Sequence, residues 1–261
     1  MTLAHLDMSP PPRANRDRAL ILAALALLTV LAWTYLVYDA HRMTDGVCEM
    51  CMPLAHAWTA RELALVFAMW TIMMIGMMTP SVAPAVLLFA SLNRQRRAAD
   101  RPFVPTIAFL AGYLLVWTLF SLVITLLQAW LHRAALLSPA MISRSPLLGG
   151  ALLIAAGLFQ WLPIKSLCLR HCRSPLDLFL TNWREGAIGA IRMGFDHGLH
   201  CLTCCWLLMA LLFVAGVMNL AWIAAITLFV LLEKLIPTPW ISRLTGAALC
   251  AGGTWLILKG G

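Results

Sequence analysis

The densest group of chemically active side chains in the sequence lies within residues 197–205, in an otherwise apolar run. It comprises three thiols and two imidazoles: His197, His200, Cys201, Cys204 and Cys205. On a helix, at about 100° per residue, these side chains fall within an arc of about 140° and therefore face one direction. Thiolate and imidazole ligands together bind soft ions such as Cu(I), with Zn(II) as the alternative. A single cysteine in such a run is more often a small core residue, which is our interpretation of Cys250.

A second pair of cysteines, Cys48 and Cys51, follows the first apolar run of the chain. The pair has three interpretations: a disulfide, a thioredoxin-type redox pair or a clip for a metal ion. Further soft or borderline donors surround it, namely His41, Met43, Met50, Met52 and His56. These neighbours favour the metal clip, because neither a disulfide nor a redox pair requires them.

A third pair, Cys168 and Cys172, encloses His171 in a basic segment. The distribution of charge, described below, assigns this segment to the reducing cytosol, where a disulfide is not expected. Two interpretations remain open, a site that transfers metal and an inert pair of thiols in a loop.

Methionines form a stripe along another apolar run. Met69, Met73 and Met77 repeat every four residues, so they share one face of a helix. Thioethers select Cu(I), although methionine is also a common filler of hydrophobic cores. At a rise of about 1.5 Å per residue, Met77 and Cys204 reach similar depths in a membrane core of about 30 Å. The sequence therefore predicts a shared metal site, with Met73 and Met77 on one helix and the Cys/His group on another.

The composition indicates which elements position these side chains. Of the 261 residues, 62% are hydrophobic and only 11% are charged, and the mean hydropathy is +0.85. Soluble chains are nearer half apolar and a quarter charged, so a disordered chain and an ordinary soluble enzyme are both excluded. Basic residues beside membrane headgroups explain the net charge of +8, and nucleic acid is not an expected partner, whereas membrane lipid is. The predicted fold is all-α, a polytopic transmembrane helix bundle.

About seven spans are predicted, from apolar runs near the roughly 20 residues that a crossing requires. They cover residues 19–38, 63–92, 103–131, 147–162, 198–217, 220–236 and 240–258. The run from 198 to 232 is too long for one crossing, so a break is predicted at residues 216–219. The last span, at residues 240–258, holds three glycines that suit close packing of helices.

The basic residues predict the orientation of these spans. Of the 19 Lys and Arg residues, 14 fall on the side of the N-terminus, which is therefore expected in the cytoplasm. Residues 1–18 are then a cytoplasmic tail and residues 19–261 a single transmembrane domain. This domain has an outer Cys loop at 39–62 and an inner basic loop at 163–197. At the inner end of the sixth span, Lys234 is expected to extend to the membrane surface, while Glu233 faces inward.

Two segments give the sequence a family resemblance. One is the Met-rich run from Trp70 to Pro80, and the other extends from Gly194 to Pro237 and contains the Cys/His group. With these segments the chain resembles a bacterial family of uncharacterised proteins described as predicted metal-binding integral membrane protein. Thr203 stands where the family pattern has glycine, which changes no candidate ligand. The resemblance implies a multi-pass protein of the bacterial inner membrane that binds metal, and it implies no particular activity.

The function that these observations favour is transport or chaperoning of a soft metal ion, Cu(I) foremost, by exchange between ligands. The ion would pass between the outer Cys48/Cys51 cluster, the Met and Cys sites of the spans, and an inner exit at Cys168, His171 and Cys172. The expected partner is an extracytoplasmic metallochaperone or metalloenzyme. The alternatives are a membrane thiol–disulfide oxidoreductase and an assembly subunit of a respiratory complex. The sequence contains no ATP-binding motif and no hydrolytic triad, and an enzyme is not favoured.

Overall fold

A computed structural model describes residues 12–44, 58–98, 104–134, 145–181 and 183–260 of the chain. Every regular element in these ranges is a helix, which confirms the predicted all-α class. The helices are α1 (Pro12–Thr44), α2 (Ala60–Ala98), α3 (Thr106–Arg133), α4 (Pro146–Phe159), α5 (Pro163–Arg173), α6 (Leu176–Thr181), α7 (Gly186–Ala210), α8 (Leu212–Ala215), α9 (Leu220–Leu235) and α10 (Pro239–Gly260).

Within the described ranges, five helical segments are long and apolar enough to cross a membrane. They are Asn15–Arg42, Ala60–Arg96, Thr106–Arg133, Gly186–Ala215 and Pro239–Lys259. The pair α4 and α5, bent by 67°, makes a sixth if it counts as one broken span. The chain is thus a membrane protein, but seven crossings are not confirmed. Helix α9 has 16 residues and a length of about 24 Å, which is short for a core of about 30 Å.

The break predicted at residues 216–219 is confirmed. Gly216 has a φ of 100°, a conformation that side chains with a Cβ rarely adopt. Asn219 then caps α9, because its side-chain oxygen accepts a hydrogen bond from the backbone N–H of Trp222 at 3.2 Å. A glycine turn followed by an asparagine cap ends one helix and begins the next.

Helix α7 begins at Gly186, twelve residues before the predicted start of its span, so it takes up the end of the segment predicted as an inner basic loop. The cause is close packing against α3. A Cβ added at Gly194 would lie 1.9 Å from the backbone oxygen of Phe109, and one added at Gly112 would lie 2.0 Å from that of Ile191. These glycines bring the two backbones together. Contact with α3 therefore extends α7 beyond the apolar run from which its span was predicted.

Three packed groups of helices surround the core. Helix α2 lies against α1 and α3, α4 lies along α10, and α7 contacts both α3 and α5. Helix α9 contacts α2, α5 and α7. The buried methionines Met69, Met73 and Met77 of α2 belong to the hydrophobic core that these helices enclose.

Candidate metal centre

Helix α7 holds its three thiols in the interior of the protein. Cys201, Cys204 and Cys205 are each at most 2% exposed. The thiols of Cys204 and Cys205 both donate to the backbone carbonyl of Cys201, at 3.0 Å. The side chains therefore gather around one turn of the helix on its buried face, as their spacing predicts.

Helix α5 brings a fourth thiol to this group. The sulfur of Cys172 lies 4.0 Å from that of Cys204, and the Cys172 side chain also interacts with that of Cys201. Cys168, one turn earlier on α5, is half-buried and lies within electrostatic range of Cys204. The Cys168/Cys172 pair and the Cys/His group, which are far apart in the sequence, thus form one cluster between α5 and α7.

The spacing of the Cys172 and Cys204 sulfurs fits a shared metal ion. A bond between a metal ion and a thiolate is about 2.3 Å long, so two sulfurs on one ion lie roughly 3.8 to 4.6 Å apart. The observed 4.0 Å falls inside this range. No set of three or more His, Cys, Asp or Glu side chains among the described residues is arranged to hold a metal ion without adjustment. The Cys172–Cys204 pair is therefore a two-sulfur candidate site among the described residues.

Two histidines are paired beside the thiols, at the more exposed side of the α5–α7 contact. The rings of His171 and His200 lie 4.8 Å apart between centroids and 30° from parallel. In each ring Nδ1 contacts the backbone carbonyl four residues earlier, at 2.9 Å from Leu167 and 2.7 Å from Asp196. A carbonyl at Nδ1 fixes the proton on that nitrogen and leaves Nε2 as a free acceptor. Both rings can therefore bind a soft ion through Nε2.

His197 lies one turn before Cys201 on α7, on the side of the thiol group that packs against α3. It is 3% exposed, and its Nδ1 has no hydrogen-bond partner. Its ring lies against Phe109 and Tyr113, at centroid distances of 6.0 and 5.9 Å. A buried nitrogen without a partner is uncommon in proteins, which makes His197 a candidate ligand for an ion that enters the group from this side.

A buried lysine, Lys234 of α9, completes the polar surroundings of the thiols. Its Nζ donates to the sulfur of Cys201 at 2.9 Å and to the hydroxyl of Ser81 at 2.8 Å, and the residue is only 9% exposed. The expectation that Lys234 extends to the membrane surface is therefore wrong. An ammonium inside the protein is retained because it has a sulfur partner and a hydroxyl acceptor.

Helix α2 approaches the thiol group near Pro80 and Pro84, beyond its methionine stripe. The hydroxyl of Tyr113 on α3 lies 3.2 Å from the sulfur of Cys201 and 3.4 Å from the carbonyl of Met78. Met73 and Met77 are buried in the same core, and Met77 precedes Ser81 by one turn on the same helix face. A shared Met/Cys site remains a prediction, since the polar links from α2 to the thiols run through Tyr113, which meets the Met78 carbonyl, and through Lys234, which meets the Ser81 hydroxyl.

The other cysteines of the sequence are Cys48, Cys51 and Cys250. Cys48 and Cys51 lie outside the described residues. Cys250 on α10 packs against Gly157 of α4, and its thiol donates to the carbonyl of Ile154 at 3.8 Å. This contact is consistent with the core role predicted for Cys250.

Sequence reasoning missed Lys234, Tyr113 and Ser81. For Lys234 a signal was present, because a cation in an apolar run is costly unless it has a partner. Glu233 and Lys234 are adjacent on the helix and point in different directions, so each needed a partner of its own. For Tyr113 and Ser81 the sequence carries no comparable signal.

These features define a class of protein: a helical membrane protein that gathers five thiols and three imidazoles where α5 and α7 meet. A comparison with protein families matches residues 67–256 to the family PpoB2, described as copper chaperone. The match covers most of the chain, so the protein belongs to this copper chaperone family, and the predicted family of metal-binding membrane proteins is confirmed. Neither a curated protein nor a solved structure matches the chain. Membership supports a copper-handling role for the chain.

Proposed function

We propose that this protein carries Cu(I) as cargo between two thiolates, Cys172 of α5 and Cys204 of α7, inside the membrane. The observation that supports this most directly is the sulfur–sulfur distance of 4.0 Å between the two helices. Cys201 and Cys205 lie on the same turn of α7 and serve as exchange ligands. Thiolate ligands select Cu(I) over harder ions, in agreement with the family's copper-handling role.

The charges around the thiols favour a monovalent ion. Two thiolates and one Cu(I) carry a net charge of −1, and the ammonium of Lys234, 2.9 Å from Cys201, brings the buried group to neutrality. With Zn(II) the same group would carry a net charge of +1 in a medium of low dielectric constant, which is unfavourable. Burial therefore supports Cu(I) as the cargo and Zn(II) as a poor substitute.

The histidine pair provides a first step for exchange between ligands. His171 is exposed and precedes Cys172 directly, while His200 lies one turn before Cys204 on α7. An ion held by the two Nε2 atoms is one ligand shift from each thiolate, so it never has to leave all its ligands at once. The orientation of the chain, which is our prediction, makes this the cytoplasmic side of a bacterial inner membrane.

Cys48 and Cys51, Met73 and Met77 would continue the path toward the outer side. An extracytoplasmic metallochaperone or metalloenzyme is the partner that such a path would serve there. Neither end of the path determines the direction of copper flow, because each exchange between ligands is reversible.

The test is a titration of reduced protein, purified without oxygen, against a chromogenic Cu(I) chelator. We expect the wild type to take about one equivalent of Cu(I) from the chelator and the variant Cys172→Ser/Cys204→Ser to lose this binding. Cys250→Ser is the matched control, because Cys250 belongs to the α4–α10 contact, and it should bind as the wild type does. Unchanged binding in the double variant, or equal loss in the control, contradicts the proposal.

A second candidate is a thiol–disulfide oxidoreductase, and the same distance favours it. Cys172 and Cys204 could form a disulfide after a small movement, since two thiols 4.0 Å apart need only approach to about 2.05 Å. The pair would give two electrons and two protons to the disulfide of a partner protein. The same titration distinguishes the two functions, since a redox pair that binds no Cu(I) would form a Cys172–Cys204 disulfide reversibly in a glutathione buffer.

A further inference from the structure

A basic cavity lies outside the copper group, at the junction of the α4–α5 bend with the loop between α9 and α10. Its volume is about 960 Å³, at the upper end of the range for ligand pockets. Four cationic side chains line it, and the described residues that line it include no Asp or Glu. The four are Lys165, Arg170, Arg173 and Arg243.

The Glu233 carboxylate, which lies beside the cavity, is already paired. Glu233 accepts hydrogen bonds from Lys165 at 2.6 and 2.8 Å and from Ser242 at 2.6 Å. Arg173 donates to the backbone carbonyls of Glu233 and Ile236, which fixes its guanidinium without neutralising it. After the Lys165–Glu233 pair is set aside, three guanidinium groups still surround the cavity with a net positive charge.

Two further features point into the cavity and also favour an anion. Gln160 is 5% exposed, its oxygen accepts from Lys165, and its Nε2 has no hydrogen-bond partner. Helices α5 and α10 both begin at the cavity wall, at Pro163 and Pro239, and the first turn of a helix carries a partial positive charge. An unpaired buried donor, two helix N-termini and three guanidiniums together form a site for an anion with several acceptor oxygens.

The edges of the cavity indicate where the anion comes from. Trp161 lines the cavity and Trp240 flanks it, and their exposed fractions are 48% and 63%. Tryptophan is enriched at the headgroup level of membranes. Arg243 lies over the ring of Trp240, with its central carbon 5.8 Å from the ring centroid. We infer that this cavity binds the phosphate group of an anionic phospholipid in the adjacent leaflet. The lipid would hold the α4–α5 bend against the start of α10.

The experiment is native mass spectrometry of the full chain in detergent with short-chain phosphatidylglycerol, phosphatidylcholine or inorganic phosphate. The wild type should retain phosphatidylglycerol in preference to phosphatidylcholine. In Arg170→Gln/Arg243→Gln this preference should fall by about thirtyfold, because each Arg near an anionic surface contributes roughly a fivefold factor. The conservative variant Arg170→Lys/Arg243→Lys should keep most of the preference.

The matched control is Arg184→Gln/Arg192→Gln, which removes two exposed charges from the same predicted face but not from the cavity. It should bind phosphatidylglycerol as the wild type does. Equal losses in the control and the cavity variant overturn the inference. Displacement of the lipid by an equal concentration of inorganic phosphate also overturns it, because the site would then belong to free phosphate.

Discussion

Lys234 and Glu233 are neighbours in the sequence, yet each belongs to a different polar group. Lys234 contacts the Cys201 thiol and Ser81, whereas Glu233 pairs with Lys165 and Ser242. A charged side chain this deep needs a partner because desolvation of an unpaired ion costs several kcal/mol. At the scale of single residues, Lys234 is thus a fixed positive charge beside the thiols that we propose as the copper ligands.

This role of Lys234 predicts how metal preference changes when its charge is removed. Repulsion between an ammonium and a metal ion is twice as large for Zn(II) as for Cu(I). For charges about 5 Å apart, at an effective dielectric constant of about 20, one unit of charge corresponds to roughly 3 kcal/mol. In Lys234→Met the ratio of Cu(I) affinity to Zn(II) affinity should therefore fall by about 100- to 200-fold, as measured by competition titration with both metals.

The control for this experiment is Lys259→Met, because Lys259 lies over the ring of Trp255 on α10 and away from the thiols. Its affinity ratio should match that of the wild type. An unchanged ratio in Lys234→Met would mean that the lysine only fills space beside Cys201 and Ser81.

Glycines hold α3 and α7 together, and this contact sets the position of the thiols at the scale of elements. Tyr113 on α3 reaches Cys201 on α7 because the backbones touch at Gly112 and Gly194. In Gly194→Ala the new Cβ would lie 1.9 Å from the carbonyl oxygen of Phe109, so the helices must separate. We expect a loss of stability of about 2 to 4 kcal/mol, visible as a lower midpoint of thermal unfolding in detergent.

Gly252→Ala on α10 is the matched substitution for Gly194→Ala. A Cβ at Gly252 has no neighbour within 4 Å, and alanine favours a helix over glycine by about 1 kcal/mol. This variant should unfold at the same temperature as the wild type or slightly above it. If both variants behave alike, close contact of α3 and α7 does not hold the fold together.

The sequence predicts the helices and turns well where polarity changes sharply along the chain. It predicts them less well where packing between helices determines where a helix begins. The all-α class and the turn at Gly216–Asn219 follow from hydropathy and from turn residues. Helix α5 was expected to be a loop, because its basic residues suggest a solvated segment. The helix instead buries Lys165 and Leu169 while exposing Arg170, so its amphipathic pattern was hidden by its charge.

The candidate site also has one part that the sequence predicts and one part that depends on packing. Three thiols and two imidazoles on one helix face are predictable, because the helix period relates them. The approach of Cys172 to Cys204 depends on how α5 folds back after the bend at Pro163, which no local pattern records. Met73 and Met77 remain predicted ligands, since depth along separate helices does not determine which side chains meet.

The orientation of the whole molecule in the membrane follows from charge and from the number of crossings. Seven crossings with a cytoplasmic N-terminus predict an extracytoplasmic C-terminus. Fusion of alkaline phosphatase after Gly261 in a bacterial host should then give an active enzyme, whereas a fluorescent protein that matures only in the cytoplasm should stay dark. The opposite pair of results would mean an even number of crossings, for example if α9, with 16 residues, does not cross.

Copper X-ray absorption of the Cu(I)-loaded protein tests most directly whether α5 and α7 share the ion. We predict a first shell dominated by sulfur at about 2.2 to 2.3 Å, near the usual metal–thiolate distance. In Cys172→Ser one sulfur should be replaced by a nitrogen or oxygen ligand, while Cys250→Ser should give the spectrum of the wild type. A shell of nitrogen and oxygen in the wild type, or an unchanged sulfur shell in Cys172→Ser/Cys204→Ser, would contradict the assignment of these two thiolates.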